Sequence, residues 1–197
     1  EKHLNNLTFQ QNEVLTMTKT EENLKTAFAG ESQARNKYDY FAKQARKEKL
    51  LYLAKIFEET ALNEMQHAKD EFKLLNGIKD TKENLKAAIA GEHYETTEMY
   101  PTFAKEAEEE GNEEAAKLFT EIAKVEKEHE ARYKKLLQMV EEGKVFKRNK
   151  PIRWKCSKCG FIDEGEEPPE ECPSCKHESH YFEPECMCFK EGCEICN

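Results

Sequence analysis

The sequence predicts an all-α bundle of four long helices, followed by a small module that is held together by metal. Residues 20–142 are rich in Glu, Lys, Ala and Leu, with apolar residues three or four positions apart and a single proline, Pro101. This composition and spacing are typical of long amphipathic helices. All eight cysteines lie between Cys156 and Cys196, in a region without helical periodicity. A chain of 197 residues has room for these two parts.

Composition and charge exclude several classes of protein. The net charge of -9 argues against a nucleic-acid-binding protein, which would carry a basic face. No apolar run approaches the roughly 20 residues of a membrane span. The first 20 residues lack the basic start and apolar centre of a secretory signal. We interpret residues 1–17 as an N-terminal tail, with Met17 as a candidate native start, and we expect a cytoplasmic protein.

Four helices follow from the apolar spacing. Thr20 and Thr81 are the expected N-caps, because acidic residues follow each of them in the first turn. Glycines stand where the helices should stop. These glycines are Gly77, Gly111 and Gly143. The predicted helices cover roughly 20–47, 49–76, 81–110 and 112–142.

An internal repeat places glutamates within the apolar stripes. The segment TEENLKTAFAGE, which begins at Thr20, recurs 61 residues later as TKENLKAAIAGE from Thr81. The second helix of each half carries a Glu-x-x-His pair, and the two pairs are 62 residues apart. This repeat predicts two helix hairpins that are related by duplication. The glutamates that follow apolar residues at helical spacing are Glu31, Glu64, Glu92 and Glu126.

These glutamates predict a dinuclear metal site. Burying an unpaired carboxylate costs several kcal/mol, and clustered carboxylates repel one another, so bound cations are the natural remedy. One Glu on each of two helices, with Glu-x-x-His on the other two, is the arrangement of di-iron carboxylate bundles. A single Glu-x-x-His is usually a solvated helix face, but two copies in register with two core glutamates favour ligands. Glu95, whose counterpart at the same offset is Ala34, is either a further ligand or a surface acid. The predicted ligands are Glu31, Glu64, His67, Glu92, Glu95, Glu126 and His129.

The cysteine-rich part predicts a second metal site. Residues 151–197 hold 5 basic and 11 acidic residues and are too few for a core of their own. Two Cys-x-x-Cys turns supply four thiolates, which suit tetrahedral Zn or Fe. Spacing alone leaves a zinc ribbon open, whereas nearby aromatic rings favour a redox iron screened from water. The predicted ligands are Cys156, Cys159, Cys172 and Cys175, and the rings are Trp154, Phe161, Tyr181 and Phe182.

Four more cysteines form a tail with the pattern C-x-C-x4-C-x2-C. They are Cys186, Cys188, Cys193 and Cys196. A further metal site, disulfides and free thiols all remain open, although a reducing compartment disfavours disulfides. The predicted division of the chain is therefore a tail (1–17), a di-iron domain (18–146), a four-cysteine domain (147–183) and a cysteine-rich tail (184–197).

Over about 20–183 the chain resembles the rubrerythrin family, which joins a ferritin-like di-iron bundle to a C-terminal rubredoxin-like domain. The motifs that carry the resemblance are AGESQAR (29–35), AGEHYE (90–95), MYP (99–101) and EKEH (126–129). Lys176 departs from it, because rubredoxins usually have glycine there. A left-handed backbone at this lysine would cost about 1 kcal/mol. The tail from Pro184 onward also lies outside the common pattern.

The resemblance implies roles for the ligands. Glu64 and Glu126 bridge the two irons, and Glu31 binds one of them. Glu92 and His129 bind the other iron. Glu95 and His67 compete for the first iron, since a carboxylate favours the ferric state and a neutral imidazole tolerates the ferrous state. Two tyrosines would hydrogen-bond to ligand carboxylates, or simply pack in the core. They are Tyr38 and Tyr100.

The resemblance also implies reduction of hydrogen peroxide to water in oxidative-stress defence. The Fe(Cys)4 centre, in which Zn is a possible substitute, would relay single electrons from a rubredoxin or from an NAD(P)H-dependent reductase. No Rossmann glycine fingerprint is present, so NADH itself is not expected to bind. The alternatives are a ferroxidase or iron-storage protein and a metal-binding redox sensor.

The connection between the second and third helices predicts a homodimer with swapped helix pairs. Those helices run parallel in a ferritin-like bundle, so one chain needs a long crossover. Residues 77–80 reach at most about 14 Å, whereas the 28 positions from Glu64 to Glu92 span about 42 Å if helical. Glu31, Glu64 and His67 of one chain would then join the second-half ligands of the other. An up-down-up-down monomer is the rival.

Overall fold

The computed structural model describes residues 17–186. The predicted four helices are confirmed, except that the third is divided by a π-helical turn, Glu95–Met99. Among the described residues, no helix is both long and apolar enough to cross a bilayer. The helices are α1 (Lys19–Lys47), α2 (Leu51–Leu74), α3 (Thr81–Tyr94), α4 (Tyr100–Glu109) and α5 (Glu113–Glu141).

The described chain forms two compact units, which meet in sequence at Ile78 and Lys79. In the first unit α1 and α2 pack as a hairpin, and in the second α5 packs against α3 and α4. The buried hydrophobic residues of these helices are all alanines, which allow the helix backbones to approach closely. They are Ala42, Ala45, Ala54, Ala61 and Ala68 in the first unit and Ala104, Ala107 and Ala116 in the second.

Both predicted N-caps are wrong by one or two residues. Thr18 caps α1, because its side chain accepts the Glu21 N–H while the Glu21 carboxylate accepts the Thr18 N–H at 2.7 Å. This reciprocal pair is a capping box. Asp80 caps α3 by accepting the Glu83 N–H at 2.9 Å. An aspartate at this position leaves Thr81 as the first helical residue.

Two of the three predicted glycine stops are confirmed. Gly111 and Gly143 follow α4 and α5 with φ of 75° and 65°, in the left-handed region that glycine enters without a steric penalty. After α2 the left-handed residue is Asn76, with φ of 54°, and not Gly77. Asparagine is the common alternative to glycine at this position.

The C-terminal module is a three-stranded antiparallel sheet. Its strands are β1 (Ile152–Cys156), β2 (Ile162–Gly165) and β3 (Phe182–Pro184), in the order β2-β1-β3. Trp154 lies opposite Asp163 on one side and Pro184 on the other. Its side chain is fully buried and its indole N–H donates to the Gly165 carbonyl at 3.0 Å. Trp154 is therefore part of the hydrophobic core of this module.

Candidate metal centres

The first hairpin brings three predicted ligands together. Glu31 comes from α1, while Glu64 and His67 come from one face of α2. One ligand atom from each of the three lies within 4.8 Å of the others. His67 Nδ1 lies 2.9 Å from Glu64 Oε2 and 3.9 Å from Glu31 Oε2. We call this group the first triad.

The second hairpin repeats this arrangement with Glu92 from α3 and with Glu126 and His129 from α5. His129 Nδ1 lies 2.7 Å from Glu126 Oε2 and 3.7 Å from Glu92 Oε2. This second triad has nearly the same separations as the first. The repeat seen in the sequence is therefore also a repeat of local geometry.

Both triads have carboxyl groups whose charges disfavour one another. The neighbouring Glu64 raises the pKa of Glu31, and burial raises that pKa further. Burial and then Glu126 raise the pKa of Glu92. Glu92 Oε2 is also buried without a hydrogen-bond partner. A metal cation would bind this oxygen and offset the repulsion, so the residues present fit a carboxylate–histidine metal site.

Glu95 opens the π-helical turn. The Tyr100 N–H donates to the Glu95 carbonyl, five residues back, which is the π pattern. Glu31 and Tyr38 are seven residues apart, but Glu92 and Tyr100 are eight apart. The second hairpin thus accommodates one extra residue in this turn. Glu95 is not among the atoms of the second triad, but its charge helps to raise the Glu92 pKa.

The two tyrosines occupy equivalent aromatic clusters. Tyr38 lies 6.2 Å from both Phe41 and Phe57, measured between ring centroids. Tyr100 lies 6.5 Å and 6.1 Å from two phenylalanine rings in the same way. Those rings are Phe103 and Phe119. Burial, and then the charge of Glu95, raises the pKa of Tyr100. Hydrogen bonds from these hydroxyls to ligand carboxylates remain a prediction.

The four cysteines of the C-terminal module also converge, with their sulfurs within 4.8 Å of one another. Cys156 and Cys172 are fully buried in the module's core. The closest sulfur pairs, each 3.7 Å apart, join Cys156 to Cys175 and Cys159 to Cys172. Four thiols at this spacing suit a tetrahedral metal ion.

The two Cys-x-x-Cys turns are built alike. The Gly160 N–H donates to the Cys156 carbonyl at 2.8 Å, and the Lys176 N–H donates to the Cys172 carbonyl at 2.9 Å. Gly160 has φ of 79°, and Lys176 has φ of 62°. Lys176 therefore occupies the left-handed position, where the sequence predicts a cost.

Backbone amides donate hydrogen bonds to Cys159 and Cys175, the two cysteines of the cluster that are not fully buried. A hydrogen bond from the Phe161 backbone lowers the pKa of Cys159 to about 7. The His177 backbone acts in the same direction on Cys175, but burial and the neighbouring thiols outweigh it and raise the pKa of Cys175 to about 12. Opposite shifts of the pKa are expected for thiols that lie this close together. A metal ion that binds all four cysteines as thiolates removes this difference.

The sequence did not draw attention to a polar cluster beside the second triad. Glu130 follows His129 and is only 7% exposed. Its carboxylate lies 3.0 Å from His93 Nδ1 and 2.5 Å from Lys134 Nζ. The lysine lowers the pKa of Glu130. The internal repeat does point to this cluster, because an offset of 62 residues aligns the charged Glu130 with the buried Ala68.

Much of the cysteine-rich tail lies outside the described residues. Cys186 is described and is partly buried. Cys188, Cys193 and Cys196 belong to the part of the chain that is not described. The three readings of this tail therefore stay open.

Comparison with known proteins agrees with both metal-binding parts. Residues 22–137 match the family model for rubrerythrin, and residues 154–183 match the rubredoxin-like domain of rubrerythrin. The chain belongs to the rubrerythrin family. Rubrerythrin-1 of Clostridium acetobutylicum is 50% identical over 183 residues, which cover 84% of this chain and 94% of that protein. A putative rubrerythrin of Methanocaldococcus jannaschii is 47% identical over 195 residues, covering 88% and 96%.

Membership of the rubrerythrin family confirms the predicted fold class and cofactors. The long helices are those of a ferritin-like bundle, with a di-iron site of carboxylate and histidine ligands. The small sheet with its four cysteines is a rubredoxin-like domain. The chain is accordingly an oxidoreductase of the rubrerythrin type.

Proposed function

We propose that the protein is a non-haem di-iron peroxidase that reduces hydrogen peroxide to water. The observation that carries this proposal is the combination of two carboxylate–histidine triads with a four-cysteine site in one chain. A di-iron bundle alone suits iron oxidation equally well. An attached one-electron centre indicates that electrons flow into the bundle, which a peroxidase requires and an iron store does not.

The ligands keep the roles that the resemblance implies. Glu64 and Glu126 would contribute to holding both irons, Glu31 would hold one, and Glu92 with His129 would hold the other. The Glu95 carboxylate would favour the oxidised site, whereas the neutral His67 imidazole would favour the reduced site. When bound, the two ferrous ions supply the two electrons that, with two protons, convert one peroxide into two waters.

The surrounding side chains hold protons where the reaction needs them. Tyr100, whose pKa is raised by burial and by Glu95, stays protonated at neutral pH and can donate a hydrogen bond to a ligand carboxylate. In the metal-free protein the carboxyl groups of Glu31 and Glu92 bind protons more readily than ordinary glutamates. These protons leave when the two carboxylates bind metal.

The rubredoxin-like domain would relay the electrons. Its four thiolates would hold one iron, which would supply one-electron chemistry, so two successive transfers would be needed to restore the bundle after each peroxide. The donor would be a rubredoxin or an NAD(P)H-dependent reductase. We also propose the limits 18–146 and 147–183 for the two domains, and a cytoplasmic location.

We further propose that each complete site is shared between two chains of a swapped homodimer. The connector between α2 and α3 has six residues, 75–80, and reaches at most about 21 Å. The 24 residues of α2 rise about 36 Å, so this connector is too short for the crossover of a ferritin-like bundle. Large side chains on the ligand-bearing stripes also remain exposed, which marks a surface for association. They include Phe41 (47%), Leu53 (47%), Phe103 (40%), Leu118 (56%) and Val125 (50%).

Stopped-flow reoxidation tests the peroxidase. The fully reduced protein is mixed with hydrogen peroxide or with O2, and the ferric Fe(Cys)4 absorbance and the ferric di-iron absorbance are followed separately. We expect peroxide to oxidise both iron types much faster than O2 does. Equal rates with O2, together with accumulation of mineral iron, would favour a ferroxidase and reject the peroxidase.

A further inference from the structure

The second hairpin contains a buried charge that metal binding does not explain. Of the residues that the structure describes, Glu130 and Arg148 are the two charged ones that are buried. Glu130 belongs to neither triad. Because burying a carboxylate is costly, its partners should reveal what it does.

Glu130 is held from two helices. His93 Nδ1, on α3, lies 3.0 Å from Glu130 Oε1, and Lys134 Nζ, on α5, lies 2.5 Å from the same oxygen. A carboxylate oxygen can only accept, so the His93 Nδ1–H donates this bond. We call this group, Glu130 with His93 and Lys134, the Glu130 clamp.

The clamp joins the neighbours of two proposed ligands. His93 follows Glu92 in α3, and Glu130 follows His129 in α5. The hydrogen bond between them therefore ties together the two backbone segments that carry one iron's terminal ligands. Hydrogen-bonded groups beyond the ligands commonly orient a metal site in this way.

The hairpin fold itself does not require the clamp. In the first hairpin the equivalent positions hold Ser32 and Ala68, at offsets of 61 and 62. Those two residues border an open groove of about 300 Å³ instead of a polar cluster. The clamp is thus specific to the hairpin that contains Glu95 and the π-helical turn.

His93 also accepts a hydrogen bond from a residue within that turn. The Thr97 hydroxyl donates to the His93 carbonyl at 2.8 Å, across the π-helical segment. The side chain of His93 is held by Glu130, and its carbonyl is held by Thr97. The contact with Glu130 therefore joins α3 to α5 at His93, and Glu95 lies two residues beyond it.

We propose that the Glu130 clamp is a positioning device, which fixes Glu92 and His129 on one iron while the π-helical turn leaves Glu95 free to engage or release the other. The inference rests on the proposed function, because it assigns different mobility to ligands of the same di-iron site. Loss of the clamp should weaken the iron of Glu92 and His129 selectively.

Iron retention tests the clamp in the full-length protein. Glu130→Ala, Glu130→Gln and the control Glu128→Ala, which removes an exposed acid from the same helix, are loaded with enriched ferrous iron. They are then titrated with a ferrous chelator. We expect Glu130→Ala to release half of its bundle iron at roughly tenfold lower chelator concentration. One of the two ferrous Mössbauer doublets of the bundle should shrink in parallel. Glu130→Gln should recover retention, since its amide oxygen still accepts from His93.

Two results would overturn the proposal. Glu130→Ala could retain iron as well as Glu128→Ala does, or Glu130→Gln could be as defective as Glu130→Ala. If Glu130→Ala does not fold when metal-free, as judged by circular dichroism, His93→Phe replaces it, because the His93 side chain is 60% exposed. His93→Phe removes only the donor and should show the same selective loss; full retention would again reject the clamp. Iron retention needs no peroxide, so this outcome is separate from that of the peroxidase test.

Discussion

At the scale of single residues, Lys176 shows a local conflict between side chain and backbone. Its φ of 62° matches the position of Gly160 in the other Cys-x-x-Cys turn. A residue with a Cβ atom loses about 1 kcal/mol or more in this conformation. Its ion pair with Glu171, at 3.2 Å, is exposed and contributes little. We expect Lys176→Gly to stabilise the rubredoxin-like domain by up to about 1 kcal/mol, because part of the gain is offset by glycine's unfolded-state entropy.

Chemical denaturation, followed by the visible absorbance of the iron–thiolate site, measures this effect. Lys176→Ala is the matched control, since it loses the same ion pair but keeps the Cβ atom. It should show no stabilisation. An equal gain in both variants would mean that the lysine side chain, and not the backbone conformation, is the source.

A second prediction at this scale concerns Glu92 in the metal-free protein. Burial and Glu126 raise its folded pKa above the ordinary 4.5. A raised carboxyl pKa contributes stability below pH 4.5, and this contribution is lost as the pH rises through the folded value. At neutral pH ionised Glu92 therefore destabilises the metal-free fold. We expect Glu92→Gln to raise the metal-free melting temperature at pH 7 and to flatten its decline from acid to neutral pH.

Thermal melts between pH 4.5 and pH 7, with all metal removed, provide the measurement. Glu128→Gln changes an exposed acid on α5 and should leave the pH dependence as it is in the wild type. A Glu92→Gln protein that melts lower than the wild type at neutral pH would contradict the assigned electrostatic cost.

At the scale of elements, the helices were predictable and their interruptions were not. Apolar spacing predicts each long helix to within a few residues, because burial of one face decides where a helix runs. The π-helical turn has no composition of its own, and Glu95–Met99 contains ordinary helix-compatible residues. Its signal is the change of spacing between repeats, from seven residues between Glu31 and Tyr38 to eight between Glu92 and Tyr100.

Some parts of the sites could likewise be predicted from the sequence, and others could not. The two triads and the four-cysteine cluster could be predicted from the sequence because each triad contains a Glu-x-x-His pair and a repeated Glu, and because the cysteines have metal-binding spacing. The Glu130 clamp could not be predicted from the sequence, since it depends on which face of α5 packs against α3. Caps such as Thr18 and Asp80 were missed because several neighbouring residues have equally suitable side chains.

Deleting Thr96 should convert the π-helical turn into ordinary α-helix. The spacing from Glu92 to Tyr100 would then match the spacing from Glu31 to Tyr38 in the first hairpin. Glu95 would no longer lie at the start of a π-helical turn. Because π turns are less favourable than α-helix, we expect helicity and melting temperature to be retained or to rise. Peroxide turnover should be lost, because the Glu95 carboxylate no longer approaches the site. Circular dichroism and peroxide consumption measure the two effects.

Thr96→Ala is the control for this deletion, because it removes the same side chain and keeps the register. It should retain turnover. If the deletion variant folds and still consumes peroxide at the wild-type rate, the extra residue has no role in the reaction.

At the scale of the whole molecule, the proposed swap would complete each triad with a hairpin from another chain. Each described triad offers one histidine and two carboxylates, on a hairpin whose ligand-bearing stripes keep large apolar side chains exposed. A swapped homodimer pairs the first hairpin of one chain with the second hairpin of the other. Each dimer would then contain two sites, and each site would take its ligands from both chains.

Complementation between two inactive chains decides whether the sites are shared. One chain carries Glu64→Gln in the first triad, and the other carries Glu126→Gln in the second. In a swapped mixed dimer one site combines both defects, while the other site combines the two intact hairpins. Each mutant homodimer has no intact site, so turnover should appear only in the mixed dimer, at roughly half the wild-type value. Co-expression with two different affinity tags and sequential purification isolate that dimer for measurement of peroxide consumption and iron content. If each chain instead completes its own site, every site in the mixed dimer carries one defect, and the mixture stays as inactive as its parents.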